Sequence, residues 1–324
     1  MGTRFPYGLP SGWFQVARLV DIEPGAVKPL RYFGRDLVLF REMSGAVRLL
    51  DAHCPHLGAH LGHGGRVDGD AIVCPFHAWR FDGSGRCTKI PYSEKVPRQA
   101  SLTPWVTVER CGLVFAWHDR VGRPPMWTLP EIPEFGSDEW TPFEPRTWSV
   151  RTCNQEMAEN AVDLAHFLYL HGTASMPTTS TSVDGPHMHV HSKTHMTTPA
   201  GVVEGSIEVD SYGFGYVTTR FRGIVETLLL SSVTAIDEDH VDVNFHFSVK
   251  KIGGGSITRG VGKAFVAEVT RQLEQDIPIW ENKVFLPSPV LCRGDGPIGP
   301  FRRWARQFYP EMTNDPVDLD AAAE

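Results

Sequence analysis

The first hundred and twenty residues alternate between short apolar runs and turn residues. Trp13-Phe14-Gln15-Val16-Ala17, Leu37-Val38-Leu39-Phe40 and Ala46-Val47-Arg48-Leu49-Leu50 each have the length of a strand. Met43-Ser44-Gly45 supplies the turn between the second and third. Val106-Thr107-Val108 and Leu113-Val114-Phe115-Ala116-Trp117 face each other across Arg110-Cys111-Gly112, a late hairpin. Short strands joined by Gly-containing turns predict an all-β unit. The pattern then stops. Pro124, Pro125, Pro130, Pro133, Pro142 and Pro145 crowd one segment. That density forbids a regular helix and marks a semi-rigid connector over residues 121–150, between a domain at 1–120 and another at 151–324.

Beyond residue 150 the period lengthens. Asn154 to His166 reads as a helix with Asn154 as N-cap. Glu159, Asp163 and His166 share one face at i, i+4 and i+7. Leu164, Phe167, Leu168 and Leu170 flank them, so that face is buried and needs partners. His171 falls about 140° round the axis from His166, which places the helix end before it, with Gly172 as the stop. His187, His189 and His191 alternate along a half-exposed strand, with no carboxylate or thiol at ligand spacing. Four strands follow, over residues 202–210, 212–222, 225–235 and 240–250. In the last, Val241, Val243, Phe245, Phe247 and Val249 alternate with Asp242, Asn244, His246 and Ser248, one face buried and one polar. A long curved antiparallel sheet of this kind encloses an apolar pocket. A helix over residues 262–285 closes the pattern. Its stripe is Phe265, Val269, Leu273, Asp276, Trp280 and Val284, and Asp276 is the charge on it. A buried carboxylate needs a cation. Pro278 adds a kink that aims it. Glu274 and Glu281 point off the stripe.

Composition narrows the classes. With 324 residues, about two domains are expected. A net charge of −7 without a Lys/Arg tract argues against nucleic acid or an anionic membrane as partner. No apolar run opens the chain, so no signal peptide is expected, and no stretch approaches a membrane span. Six cysteines in a chain this long do not make a disulfide scaffold. Cys87, Cys111, Cys153 and Cys292 are expected as buried free thiols in a reducing compartment, the cytoplasm.

The chemistry concentrates at Cys54-Pro55-His56 and, seventeen residues on, Cys74-Pro75-Phe76-His77. Two thiolates and two imidazoles complete a four-ligand set. Zinc accepts it. So does a Rieske [2Fe–2S] cluster, with two Cys on one iron and two His on the other. Each loop supplies one of each, which favours the cluster. His53, His60 and His63 read as packing or hydrogen-bonding residues, and Trp79 as a wall over the cluster. His166, His171 and Asp276 make a second set, the two-His-one-carboxylate triad of non-haem Fe(II) oxygenases.

These motifs together resemble the Rieske non-haem iron oxygenase α subunits. The resemblance rests on Cys54-x-His56-x17-Cys74-x2-His77 and on Glu159-Asn160-x2-Asp163-x2-His166-x4-His171, and covers nearly the whole chain. Within that family the chain is similar to the 3-ketosteroid 9α-hydroxylase oxygenase components and cholesterol 7-desaturases, through residues 51–59, Lys89-Ile90-Pro91-Tyr92 with Lys95-Val96-Pro97, Asp276-x3-Trp280, Asp295-Gly296-Pro297 and Arg302-Arg303-Trp304. The resemblance implies an α+β fold class: an all-β Rieske domain, then a helix-grip type catalytic domain with a curved antiparallel sheet. It implies electrons from an NADH-dependent reductase or ferredoxin, O2 as cosubstrate, and a steroid or other multi-ring apolar compound as substrate. Hydroxylation or desaturation is the expected outcome. It also implies a homotrimer, with Asp163 bridging His166 and a cluster histidine, His77, across the interface. Two other readings stay open: an aromatic-substrate oxygenase or demethylase, and an electron carrier or ligand-binding protein without oxygenase activity.

Overall fold

A computed structural model describes residues 5–173, 175–198, 201–223, 225–252, 255–292 and 294–310. The first four residues, part of the stretch on which the signal-peptide reading rests, and the end of the second expected domain lie outside these. Contacts divide the chain into two units, Trp13–His118 and a second made of the chain before Trp13 and from Asp119 onward.

Among its described residues the first unit is all strand and turn, apart from one short 3-10 turn at Leu19–Asp21. Gly12–Arg18, Leu113–His118 and Thr107–Arg110 form a three-stranded sheet in that order. The hairpin turn between the last two puts Cys111 and Gly112 at φ 51° and 71°. Val27–Tyr32, Arg35–Arg41, Val47–Asp51 and Pro104–Trp105 form a second sheet; Arg66–Asp68, Ala71–Val73, Arg80–Asp82 and Cys87–Lys89 form a third. The core joins Val38, Phe40 and Leu50 of the second sheet to Ile72 and Phe81 of the third, with Cys54, Cys74 and Trp79 packed among them. Both ligand loops therefore leave strands whose apolar residues are anchored in one core.

The second unit is built on a seven-stranded antiparallel sheet. Its strands are β1 (Glu144–Val150), β2 (Thr178–Asp184), β3 (His187–Thr198), β4 (Gly201–Tyr212), β5 (Val217–Arg222), β6 (Thr227–Ala235) and β7 (Val241–Val249), in the spatial order β1-β7-β6-β5-β4-β3-β2. The chain crosses from β1 to the far edge and meanders back. The proline-rich segment ends in β1, which pairs with β7 from Glu144↔Phe247 to Val150↔Val241. Among its described residues four α-helices complete the unit: α1 (Asn154–Glu159), α2 (Ala165–Tyr169), α3 (Gly255–Asn282) and α4 (Ile298–Ala305). Along α3, Val266 packs with Leu229, Phe247 and Val249, whereas Leu273 and Trp280 pack with Val150, Val241 and Val243.

The structure departs from the expected pattern in several places: Cys153 rather than Asn154 is the N-cap of α1, and α3 ends at Asn282, which leaves Val284 exposed beyond it. The helix over 154–166 is two helices, because α1 stops at Glu159 and residues 160–162 make i→i−3 backbone bonds to Met157, Ala158 and Glu159. The polar face of β7 is not all solvated: His246 and Ser248 are buried, since Ser248 Oγ donates to Thr141 O and the Phe143 ring lies 5.8 Å from His246. Of the four cysteines expected as buried free thiols, Cys87 and Cys111 are buried, Cys153 is half-buried and Cys292 is exposed.

Candidate metal centres and substrate cavity

The two ligand loops of the first unit share one backbone design. Cys54 N donates to Ala59 O (2.9 Å) and Gly58 N returns to Cys54 O (2.9 Å); Cys74 N donates to Trp79 O (2.8 Å) and Ala78 N to Cys74 O (3.1 Å). Each loop closes on a left-handed residue four positions after its cysteine, Gly58 at φ 75° and Ala78 at φ 57°. Glycine suits that conformation; alanine is strained in it. The closure presents the Cys and His side chains of one loop to those of the other. The His56 and His77 rings sit 4.6 Å apart at 72°. Trp79 stacks on His56 at 4.6 Å and 9°, and its Nε1 donates to Tyr92 Oη at 2.8 Å.

Two observations fit a bound group here. His56 Nδ1 is buried without a hydrogen-bond partner, an arrangement that costs free energy unless a ligand takes the lone pair. Burial first, and then the neighbouring Cys74, push the Cys54 thiol up to about 11. Two buried thiolates side by side require a cation to hold them ionised. The neighbouring histidines have other partners: His53 Nδ1 and Nε2 lie 3.1 Å from Gly58 O and 3.3 Å from Asp36 Oδ2, and His60 Nδ1 accepts from Gly62 N at 3.0 Å.

In the second unit, the candidate ligand atoms of His166, His171 and Asp276 all lie within 4.8 Å of one another. His166 sits on α2, His171 just beyond its end, and Asp276 on α3. Gly172 at φ 72° turns the chain after His171. The unused nitrogen of each ring is held. His166 Nδ1 donates to Asp163 O at 2.7 Å, and His171 Nδ1 to Gln275 Oε1 at 3.1 Å. Both bonds leave Nε2 facing the carboxylate, with His171 Nε2 3.5 Å from Asp276 Oδ1. Asn160 Nδ2 donates to Asp276 Oδ2 at 3.2 Å and lies 3.2 Å from His166 Nε2.

The electrostatics differ between the two rings. Burial lowers the His166 pKa despite the opposing pull of Asp163 and Asp276. Burial acts the same way on His171, but hydrogen bonds to Asp276 and Gln275 outweigh it and raise the value. The cluster thus favours positive charge between His171 and Asp276, and a neutral donor at His166. A divalent cation would meet both demands.

The remaining residues of that stretch fall in different places. The Asp163 carboxylate accepts from the backbone N–H groups of Ala165 and His166 (3.1 and 3.4 Å), capping α2. Glu159 points away from the triad into a bidentate pair with Arg302 (2.6 and 2.8 Å). Glu274 is exposed. His187, His189 and His191 are about one-third exposed on β3, with His187 and His189 hydrogen-bonded to Asp210 and His191 facing Glu208 at 3.9 Å. No sequence signal points to Gln275. It belongs to no motif, and only the fold brings it to His171.

Beside the triad lies a cavity of about 230 Å³. Its triad end carries Met157, Asn160, Phe167, Leu273 and Trp280, and the inner face of the sheet forms the opposite wall. Among the described residues lining it, none is Lys or Arg. The cavity is built for an uncharged, largely apolar molecule.

A two-loop Cys/His site on a small β unit, joined in sequence to a sheet-and-helix unit with a two-His-one-carboxylate cluster, defines the class of Rieske oxygenases. Solved members of that fold agree. Pseudomonas putida NdmA superposes with a TM-score of 0.75 at 16% identity, covering 91% of this chain and 88% of that one. Residues 12–101 match the Rieske [2Fe-2S] domain and residues 116–309 the 3-Ketosteroid 9alpha-hydroxylase C-terminal domain. A 3-ketosteroid-9-alpha-monooxygenase oxygenase component of Rhodococcus rhodochrous is 33% identical over 97% of this chain and 85% of its own length. A cholesterol 7-desaturase of Ciona intestinalis is 32% identical over 96% and 71%. The chain belongs to the 3-ketosteroid 9α-hydroxylase family of Rieske oxygenases.

Proposed function

We propose that this chain is the terminal oxygenase of a Rieske monooxygenase system that hydroxylates or desaturates a steroid or a similar neutral multi-ring compound. The observation that carries the reading is the triad of His166, His171 and Asp276 opening onto an apolar cavity with no Lys or Arg among its described lining residues. His166, His171 and Asp276 would hold Fe(II), and Cys54, His56, Cys74 and His77 the [2Fe–2S] cluster. When bound, the cluster supplies single electrons and the mononuclear iron supplies open positions for dioxygen.

The chain's own residues do the rest. Asp163 O and Gln275 Oε1 fix both histidines as Nδ1–H tautomers, keeping the Nε2 lone pairs for a metal. Asn160 pins one carboxylate oxygen of Asp276, and the apolar wall excludes water. Asp163 is the proposed relay toward a cluster histidine of a neighbouring subunit in a homotrimer. Its carboxylate is 38% exposed while its backbone carbonyl holds His166. The relatives' names, oxygenase component and cholesterol 7-desaturase, support an NADH-dependent reductase or ferredoxin as electron donor and a sterol-like substrate. The free thiols support a reducing, cytoplasmic setting. Among the described residues no helix is long and apolar enough to cross a membrane. Domain limits of 1–120, 121–150 and 151–324 belong to the same proposal.

Oxygen uptake with a reductase, NADH and a panel of 3-ketosteroids and sterols tests it. The expected result is substrate-dependent uptake with a product 16 mass units heavier or 2 lighter, abolished in His171→Ala. Electron transfer to the chain without substrate-dependent uptake would instead favour a carrier.

A further inference from the structure

The cavity wall facing α3 is not uniformly apolar. Ser211 on β4 pairs with Val217 on β5, Val217 with Ser231 on β6, and Ser231 with Phe245 on β7. These residues form one row across the inner face. Thr219, two residues along β5 from Val217, points to the same side. All three hydroxyl residues line the cavity. The row begins at Phe245, which packs with Leu273 and Trp280 on the stretch of α3 that carries Asp276. It then runs away across two strands, so Ser211 lies about 10 Å from Ser231.

Their hydrogen bonding sets these residues apart from the other polar groups of the cavity. Ser192 Oγ is paired with Thr179 Oγ1 at 2.8 Å, and Gln272 Nε2 donates to Glu268 at 2.9 Å. Ser231 Oγ reaches Val217 O only at 3.4 Å. Among the described residues, no side-chain hydrogen bond engages Ser211 or Thr219. Hydroxyls left without partners on an apolar wall are costly. In a ligand pocket, a few such groups fix orientation. A hydroxyl donates to a carbonyl and exchanges bonds with another hydroxyl. The absence of Lys and Arg among the described lining residues rules against a carboxylate or phosphate.

We propose that Ser211 and Thr219, diagonal neighbours on β4 and β5 at the end of the row away from Phe245, form a hydroxyl-lined subsite that takes the uncharged oxygen function, carbonyl or hydroxyl, at one end of a multi-ring substrate and so sets which carbon faces the triad. This rests on the reading of the cavity as the substrate site of a steroid-type oxygenase. Calorimetric titration of the full chain with a 3-ketosteroid and its 3-deoxo counterpart, in which CH2 replaces the carbonyl, tests it. Wild type binds the ketone more tightly. Ser211→Ala and Thr219→Val each weaken ketone binding about 3- to 10-fold and leave the deoxo compound unchanged. The double variant Ser211→Ala/Thr219→Val loses the preference, Thr219→Ser keeps it, and Ser231→Ala leaves it unchanged. Deoxo binding reports that each variant is folded. If the double variant keeps the wild-type preference, or the variants lose both ligands alike, the subsite is wrong while the steroid reading stands. If wild type binds neither steroid, the steroid reading fails and the subsite with it.

Discussion

Arg302→Met is the perturbation whose cost the structure sets most directly. Arg302 grips both oxygens of Glu159 at 2.6 and 2.8 Å, with side chains 8% and 11% exposed. Its Nη1 also donates to Leu286 O at 2.6 Å, and the guanidinium lies 4.6 Å from the Phe285 ring centroid. Methionine keeps the aliphatic stem but leaves the Glu159 carboxylate buried and uncompensated. Breaking such a pair from one side costs about 3–5 kcal/mol, far above the ~0–1 kcal/mol of an exposed pair. In a unit of this size each kcal/mol lowers the melting midpoint by about 2–4 °C, so a drop on the order of 10 °C is expected. Scanning calorimetry of the iron-loaded protein reads it in the transition of the second unit. Adding Glu159→Gln removes the stranded charge and recovers a large part of the loss. Iron retention falls alongside, because Glu159 precedes Asn160, which binds Asp276. A shift below about 2 °C, or a double variant no better than the single, would refute the reasoning.

Three further outcomes are expected. Gln275→Leu frees the Nδ1 side of His171 and weakens metal binding about 10- to 100-fold, read by cobalt titration of the metal-free chain, while Gln275→Glu preserves an acceptor and binds within a few-fold of wild type. Ala78→Gly relieves the left-handed strain of the second cluster loop and slows loss of the cluster's visible absorbance on heating, whereas Ala78→Val, β-branched at φ 57°, speeds it. Burial alone would raise the Glu134 pKa, but its hydrogen bonds and ion pair with Arg220 bring it below the usual glutamate value. A depressed carboxylate contributes stability that is full above its unfolded value near 4.5 and fades as pH falls through the folded value. Glu134→Gln therefore flattens the acid limb of the melting-temperature profile below about pH 4.5, and a profile identical to wild type there would remove this pair as a cause.

The cluster loops were legible because their information is local. Four ligands at short spacing name their own chemistry, and Cys54 and His56 need only one turn to converge. Asp276 was legible for a different reason: a lone charge on an apolar stripe is an anomaly in the pattern, and it is buried at the triad. The helical pattern through Asp163 runs further than α1 itself. The periodicity continues past Glu159, but the Asp163 side chain binds the N–H groups of Ala165 and His166 and starts a new helix instead. Spacing puts Glu159 on one helical face with Asp163 and His166, but its partner, Arg302, lies 143 residues away and only the fold reveals it. Strands such as Ala71–Val73 and Arg80–Asp82 are three residues long and carry no periodic signal. The hydroxyl row was invisible for a related reason, since Ser211 and Ser231 become neighbours of Val217 only through strand register.

The central claim is that one polypeptide carries two separate metal stations, and metal analysis tests it most directly. Iron, zinc and acid-labile sulfide are to be measured on the anaerobically purified chain and on His171→Ala. The expected result is about three irons and two sulfides per wild-type chain, and about two irons and two sulfides in the variant. Zinc in place of iron with no sulfide, or an iron content untouched by His171→Ala, would contradict it.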